Sequence, residues 1–235
     1  MFRVAFVPGV SPDTWARKWR DRVPRVPLEL LPVPDADQLT VLRDGRADMS
    51  LVRLPVERDG LSVIELHEEV PVVVVPKDHP VAAYDEVDVA DLSEEHLLQD
   101  PDEVPAWRDV ATEVADGSRY PVPALTLEEA IGTVGAGTGI VIVPMSLARL
   151  HHRKDVTARP VSGVAPSRIG LAWLTERSDE RTDYFIGIVR GRTANSSRSP
   201  VPGEPAPGRP APERPQKPAR TSNGPRRRSG RGPRK

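Results

Sequence analysis

The chain has no cysteine among its 235 residues. That excludes disulfides, thiolate metal sites, a lipid anchor on Cys and a cysteine nucleophile. A long apolar run is missing too. The N-terminal MFRVAFVPGVSPDTW reaches Pro8-Gly9 after a few apolar residues, too short for a signal-peptide core or a membrane span. The expectation is a cytoplasmic protein with no membrane partner. Catalytic patterns are also wanting. His67-Glu68-Glu69-Val70-Pro71 is not H-E-x-x-H, and Ser162-Gly163 is not a G-x-S-x-G elbow. His151 and His152 are adjacent, so on a helix their side chains diverge and read as a surface pair, not a metal site. The sequence therefore predicts a protein that is not an enzyme, with no metal and no cofactor.

The net charge of −1 conceals an uneven distribution. Residues 196–235 hold 11 Lys/Arg and 2 Asp/Glu, leaving 22 basic and 32 acidic residues in 1–195. An acidic body thus carries a basic tail. The tail also holds 10 Pro, no aromatic residue and, beyond Ala, only Val201 as an aliphatic. Such a segment buries too little apolar surface to offset ordering entropy, so residues 196–235 are expected to be disordered. Arg226, Arg227, Arg228, Arg231, Arg234 and Lys235 are an electrostatic footprint for weak, non-specific polyanion binding. Without interleaved aromatics, base stacking is excluded, and a solubilising tail is the competing reading.

The body alternates strand-like and helix-like stretches. Residues 2–7 form an apolar run that stops at Pro8-Gly9. Ser11-Pro12-Asp13-Thr14 is a helix start, with Ser11 as cap and Pro12 in the first turn. Trp15 and Trp19 share a helix face that points to the core. Residues 28–33 and 49–52 are the next strands, with a helix between them that begins at Asp35 or Asp37 and ends at Gly45. This βαβαβ order predicts a parallel sheet with right-handed crossovers. Residues 63–66 and 72–75 are further strands, the second a run of four valines suited to burial on both faces. Residues 107–115 and a segment starting at Thr126 read as helices; 140–143 and 169–174 read as strands, and 184–189 as part of a last helix.

GTVGAGTGIVIVP, from Gly132, has the look of a phosphate cradle. A dinucleotide fingerprint needs a strand before the glycines and a helix after them. Here the helix comes first, and neither G-x-G-x-x-G nor G-x-x-x-x-G-K-[ST] is present. The glycines are therefore assigned to a helix C-terminus and the turn into the next strand.

In this order, RVAFVPGVSPDTWARKW, VPLELLPVPDADQLTVLRDGRADMSLVRLPV, GLSVIEL, VPVVVVPKDHPVA and LTLEEAIGTVGAGTGIVIVPMSLARL resemble the effector-binding domain of LysR-type transcriptional regulators over residues 2–192. The resemblance implies an α/β fold of the type 2 periplasmic-binding-protein kind: two Rossmann-like lobes joined by two crossover strands. Lobe I would be 1–76 and 165–195, and lobe II 77–164, with crossings at 75–77 and 164–167. The implied role is binding of a small, anionic effector between the lobes, linked to transcriptional regulation. The family's winged helix-turn-helix is not in this sequence, whose first strand begins at Phe2. Either the gene start is misplaced, or the domain acts by homodimerising or by heterodimerising with full-length regulators of the family. The alternative is a standalone cytoplasmic solute-binding protein with no DNA role.

Ligands of open parallel sheets bind beyond the carboxyl ends of strands and at helix N-termini. After the first strand, this selects Gly9, Val10, Ser11 and Pro12, with the Ser11 hydroxyl as ligand contact, helix cap, or both. After the third strand it selects Arg53 and Leu54, with Arg53 as a carboxylate clamp or as one side of an ion pair. The resemblance adds Gln99 and Asp100 from the second lobe's cleft loop, Thr126 at a helix start as cap or contact, and Pro144 on the floor.

Overall fold

The computed structural model describes residues 1–121 and 123–192. The disordered tail expected at 196–235, with the six basic residues expected to bind polyanions, lies outside the described residues.

The chain starts with β1 (Phe2–Phe6), α1 (Asp13–Arg22), β2 (Leu28–Pro32), a 3-10 turn at Asp35–Asp37, α2 (Thr40–Arg43), β3 (Met49–Leu54) and β4 (Leu61–Glu69). β2 and β3 pair in parallel with β1 on either side, as the βαβαβ order predicts. The helix expected from Asp35 to Gly45 is divided between the 3-10 turn and α2, and Gly45 at φ 68 ends it. α1 stops where Pro24 forbids a further helical residue, at Arg22 with Val23 as cap.

The chain then changes sheets. β5 (Pro71–Pro76) runs between two antiparallel neighbours in a second sheet, residues 141–144 and 156–162. β6 (Val87–Asp88), α3 (Pro105–Arg108), α4 (Thr112–Ala115), α5 (Leu127–Gly135), β7 (Val141–Pro144), α6 (Met145–Leu150) and β8 (Val156–Ser162) follow. β9 (Ser167–Leu174) returns to the first sheet, and α7 (Glu180–Val189) covers it. The strand orders are β2-β1-β3-β9-β4 and β6-β8-β5-β7.

This corrects the expected boundary of 1–76. The switch falls at Val70, not at 75–77, because the four valines of β5 serve the second sheet. Val73 and Val75 enter a core with Leu92, Trp107 and Ile140. Val72 and Val74 enter another on the opposite face, with Ile131, Val134 and Val141. Only a central strand covered on both sides buries four consecutive aliphatic residues. The return, at residues 163–166, lies close to the expected 164–167.

The first sheet is covered in the same two-sided way. Phe2, Trp19 and Phe185 pack under α1 and α7, with the Phe2 and Trp19 rings stacked at 4.8 Å. Val41, Leu42 and Leu61 fill the other face under α2. Trp19 is fully buried and Trp15 packs against the same core, so both serve packing as the helical spacing predicts. The helix expected over 107–115 is two short ones, broken at 109–111, where Ala111 turns extended and restarts the chain as α4.

Candidate functional site

A cleft of about 1210 Å³ opens between the two sheets. From the first sheet it takes Arg53 and Leu54 at the end of β3 and Ser167 at the start of β9; Asp35 and Pro55 flank them. From the second it takes Pro71, the turn Leu98-Gln99-Asp100-Pro101 and Val141 to Pro144 of β7. Val164 and Ala165 of the returning crossover line it as well, with Arg119, Tyr120 and Leu125 at one side.

Two glutamines complete the sheets at this cleft. β1 ends opposite Leu51, so Arg53 has no strand partner on that side. The Gln38 amide takes the place of one, accepting from the Arg53 N–H at 2.8 Å and donating to its carbonyl at 3.3 Å. On β7, Leu97 bridges Ile140, and Leu98 donates to the Ile140 carbonyl at 2.8 Å. One step on, the Gln99 side-chain oxygen accepts from the Ile142 N–H at 2.8 Å. Gln99 thus lines the cleft as expected while substituting for a strand edge.

Arg53 is the centre of the first wall. Its guanidinium pairs with the Glu69 carboxylate, donates to Ser167 Oγ at 3.0 Å and to the Pro8 carbonyl at 2.9 Å, and its Nε lies 3.5 Å from Asp35. Glu69 is the last residue before one crossover and Ser167 the first after the other. One side chain therefore ties both crossovers to the loop after β1. Of the two roles expected for Arg53, the structure shows the ion pair, partly buried with the Arg53 side chain 14% exposed.

Arg119 plays the matching part in the second wall. It pairs with Glu113, donates to the Leu97 carbonyl at 2.7 Å and to the Gln99 carbonyl at 2.9 Å, and lies over the Trp107 ring. The other side of Glu113 meets His96 Nδ1 at 2.6 Å. Sequence reasoning missed Arg119, since residues 116–125 have no periodicity. The available signal was a lone cation downstream of a strongly acidic stretch.

The remaining expected residues fall in different places. Arg53, Leu54, Gln99, Asp100 and Pro144 are brought together in the cleft. Gly9, Val10 and Ser11 line a separate hollow of about 740 Å³, facing Ser146 and Arg149 of α6. Pro12 and Thr126 line neither. Pro12 is the cap residue of α1, one position before the first helical place expected for it, since the helix begins at Asp13. Ser11 corrects the expected cap: its hydroxyl donates to the Asp13 carboxylate at 3.1 Å, and no side chain caps α1. Thr126 is a cap. Its Oγ1 accepts from the Glu129 N–H at 3.3 Å, and the Glu129 carboxylate accepts from the Thr126 N–H at 2.8 Å, a closed capping box. Those bonds, the backbone one foremost, hold the Glu129 carboxyl below its usual range, so a negative charge sits at the α5 N-terminus.

The glycine stretch has no cradle geometry. α5 precedes it and β7 follows. Gly137, at φ 80, follows the α5 cap, and Gly139 passes so near the chain that a Cβ there would lie 2.4 Å from the His96 carbonyl. Among the described residues no group of His, Asp and Glu is arranged to hold a metal ion, and no helix is long and apolar enough to cross a membrane.

Comparison with known proteins agrees with this geometry. The family described as LysR substrate binding domain matches residues 1–194. The Hca operon transcriptional activator HcaR of Escherichia coli (strain K12) is 28% identical over 204 residues, 82% of this chain and 68% of that protein. The HTH-type transcriptional regulator AlsR of Bacillus subtilis (strain 168) is 26% identical over 183 residues, 73% of this chain and 59% of that protein. The chain thus spans only part of the length of these curated relatives. Among solved structures, the reduced OxyR regulatory domain from Pseudomonas aeruginosa superposes with a TM-score of 0.61 at 20% identity, covering 80% of this chain and 96% of that one. The effector binding domain of a BenM variant gives 0.62 at 21% identity, covering 80% and 92%. The two-sheet fold is therefore that of regulatory domains of the periplasmic-binding-protein kind, and the chain belongs to the LysR substrate-binding-domain family.

Proposed function

We propose that the cleft takes a small-molecule effector and that its occupancy changes how the two sheets stand to each other. The observation that carries this reading is that one cleft is walled by both sheets and by a crossover between them. A ligand touching both walls has different contacts in open and closed arrangements, which is what a ligand-driven population shift requires. The Arg53 cluster gives the shift a place to act, since it joins both crossovers to the cleft wall. The transcriptional roles in the relatives' names support a link to gene control. The receiver would be a DNA reader joined to this domain or carried by a partner regulator, with a homodimer or heterodimer as the assembly.

The test is a thermal-shift screen of metabolites on the purified chain, followed by a reporter assay for each hit. A ligand at a hundred times its Kd stabilises by about 2.7 kcal/mol. For a domain of this size that raises Tm by about 5–10 °C. Hits that alter promoter output support the full reading. Hits with no promoter effect favour a solute-binding protein without a DNA role. A folded chain that no compound shifts, with cleft amides unmoved by NMR, counts against the cleft as a binding site.

A further inference from the structure

This inference rests on the reading of the cleft as the effector site and concerns the charge of what enters it. We infer that the effector bears a positively charged head on an apolar body. The groups suited to an anion are already engaged by carboxylates of this same chain. Arg53 is paired with Glu69, with Asp35 at 3.5 Å from its Nε. Arg119 is paired with Glu113. The N-terminus of α5 holds the Glu129 carboxylate, and the Ser11 hydroxyl is turned to Asp13. An anion would have to displace one of these at close quarters, losing a made bond and adding like-charge repulsion.

The acidic side chains at the cleft are differently placed. Asp100 and Glu103 stand three apart on one 3-10 turn and both line the cleft. No basic side chain among the described residues pairs with either one. Asp100 Oδ1 accepts only the Asp102 N–H, at 2.9 Å, and Glu103 Oε2 only the Gln99 amide, at 3.3 Å. Both carboxylates keep lone pairs for a cationic donor, which would break no existing bond. The same cleft also has an apolar lining from Leu54, Leu98, Leu125 and Val143. A compound with an ammonium head above an alkyl or aryl body matches that division.

The experiment titrates the full chain with hexylamine, hexanoate and hexanol, following the backbone amides of Leu98, Gln99 and Leu125 by NMR. Hexylamine is expected to bind about tenfold more tightly than hexanoate at low salt. High salt should shrink that preference. The double variant Asp100→Asn/Glu103→Gln keeps the acceptor atoms of both side chains, so its Tm should match the wild type. Its preference should fall to about twofold or less. Hexanoate binding as tightly as hexylamine overturns the charge assignment while leaving the cleft reading intact, and so does a preference that survives the double variant. If none of the three probes moves the cleft amides, the cleft reading fails and the charge assignment fails with it.

Discussion

Replacing Arg53 by Met tests whether the cleft wall is held by one buried charge. In the wild type the Arg53 side chain is 14% exposed and the Glu69 side chain 8%, so both charges sit largely out of water. Arg53→Met leaves the Glu69 carboxylate without its cation and removes the donors to Pro8 and Ser167. Breaking a buried pair from one side costs about 3–5 kcal/mol, because the orphaned charge keeps its desolvation penalty. At roughly 2–4 °C per kcal/mol for a domain of this size, Tm should fall by about 10 °C. The double variant Arg53→Met/Glu69→Leu removes both charges and should recover most of that loss. Urea unfolding followed by circular dichroism gives the free energies, and differential scanning gives Tm. If Arg53→Met costs less than about 1 kcal/mol, the size of an exposed ion pair, the cluster is not a buried anchor. If Glu69→Leu fails to rescue, the loss comes from the Pro8 and Ser167 bonds and the charge argument is wrong.

Two glycines ahead of β7, Gly139 and Gly132, should respond with opposite signs. Gly139→Ala should cost about 2 kcal/mol or more, since the new methyl meets the His96 carbonyl, part of the backbone; urea unfolding measures it. Gly132→Ala lies inside α5, where the nearest atom is the flexible end of Arg153 at 3.9 Å, and should gain about 0.5–1 kcal/mol. Thr126→Ala should lose about 1 kcal/mol with the capping box and speed amide exchange in the first turn of α5. For acid, Asp179 is the group to follow. Burial raises its pKa, but the Thr182 and Arg181 bonds outweigh that and leave it lowered. A lowered folded pKa gives stability that is present above the unfolded value and lost as pH falls through the folded one. Wild-type stability should therefore drop below about pH 4. Asp179→Ala should be about 1 kcal/mol weaker at neutral pH and lose less on acidification.

Much of the fold was legible in the sequence because its signals are local. The apolar run before Pro8-Gly9, the proline after Val23 and the glycine at 45 each end an element through backbone geometry alone. β8 was not legible. Its Pro160 and alternating polar residues carry little strand signal, yet Val156 to Pro160 pair with β5, and Val161 and Ser162 pair with β6, both strands far away in the chain. The division of residues 107–115 was equally hidden, since Trp107 is fixed by a bond from its ring nitrogen to the distant Leu92 carbonyl at 3.0 Å.

For the site, the sequence placed Arg53 and Leu54 at the carboxyl end of a strand, and the resemblance brought in Gln99, Asp100 and Pro144; all five line the cleft. It also settled that the glycines after α5 form a turn, because the order of helix and strand is written in the chain. Only the tertiary structure decided which charges are already spent. Arg53 meets Glu69 across 16 residues and Ser167 across 114. No local pattern records such a pairing, because it depends on where two separate strands end. The same long-range closure placed the four valines of β5 in the second sheet, where their neighbours β7 and β8 arrive from 65 or more residues further along the chain.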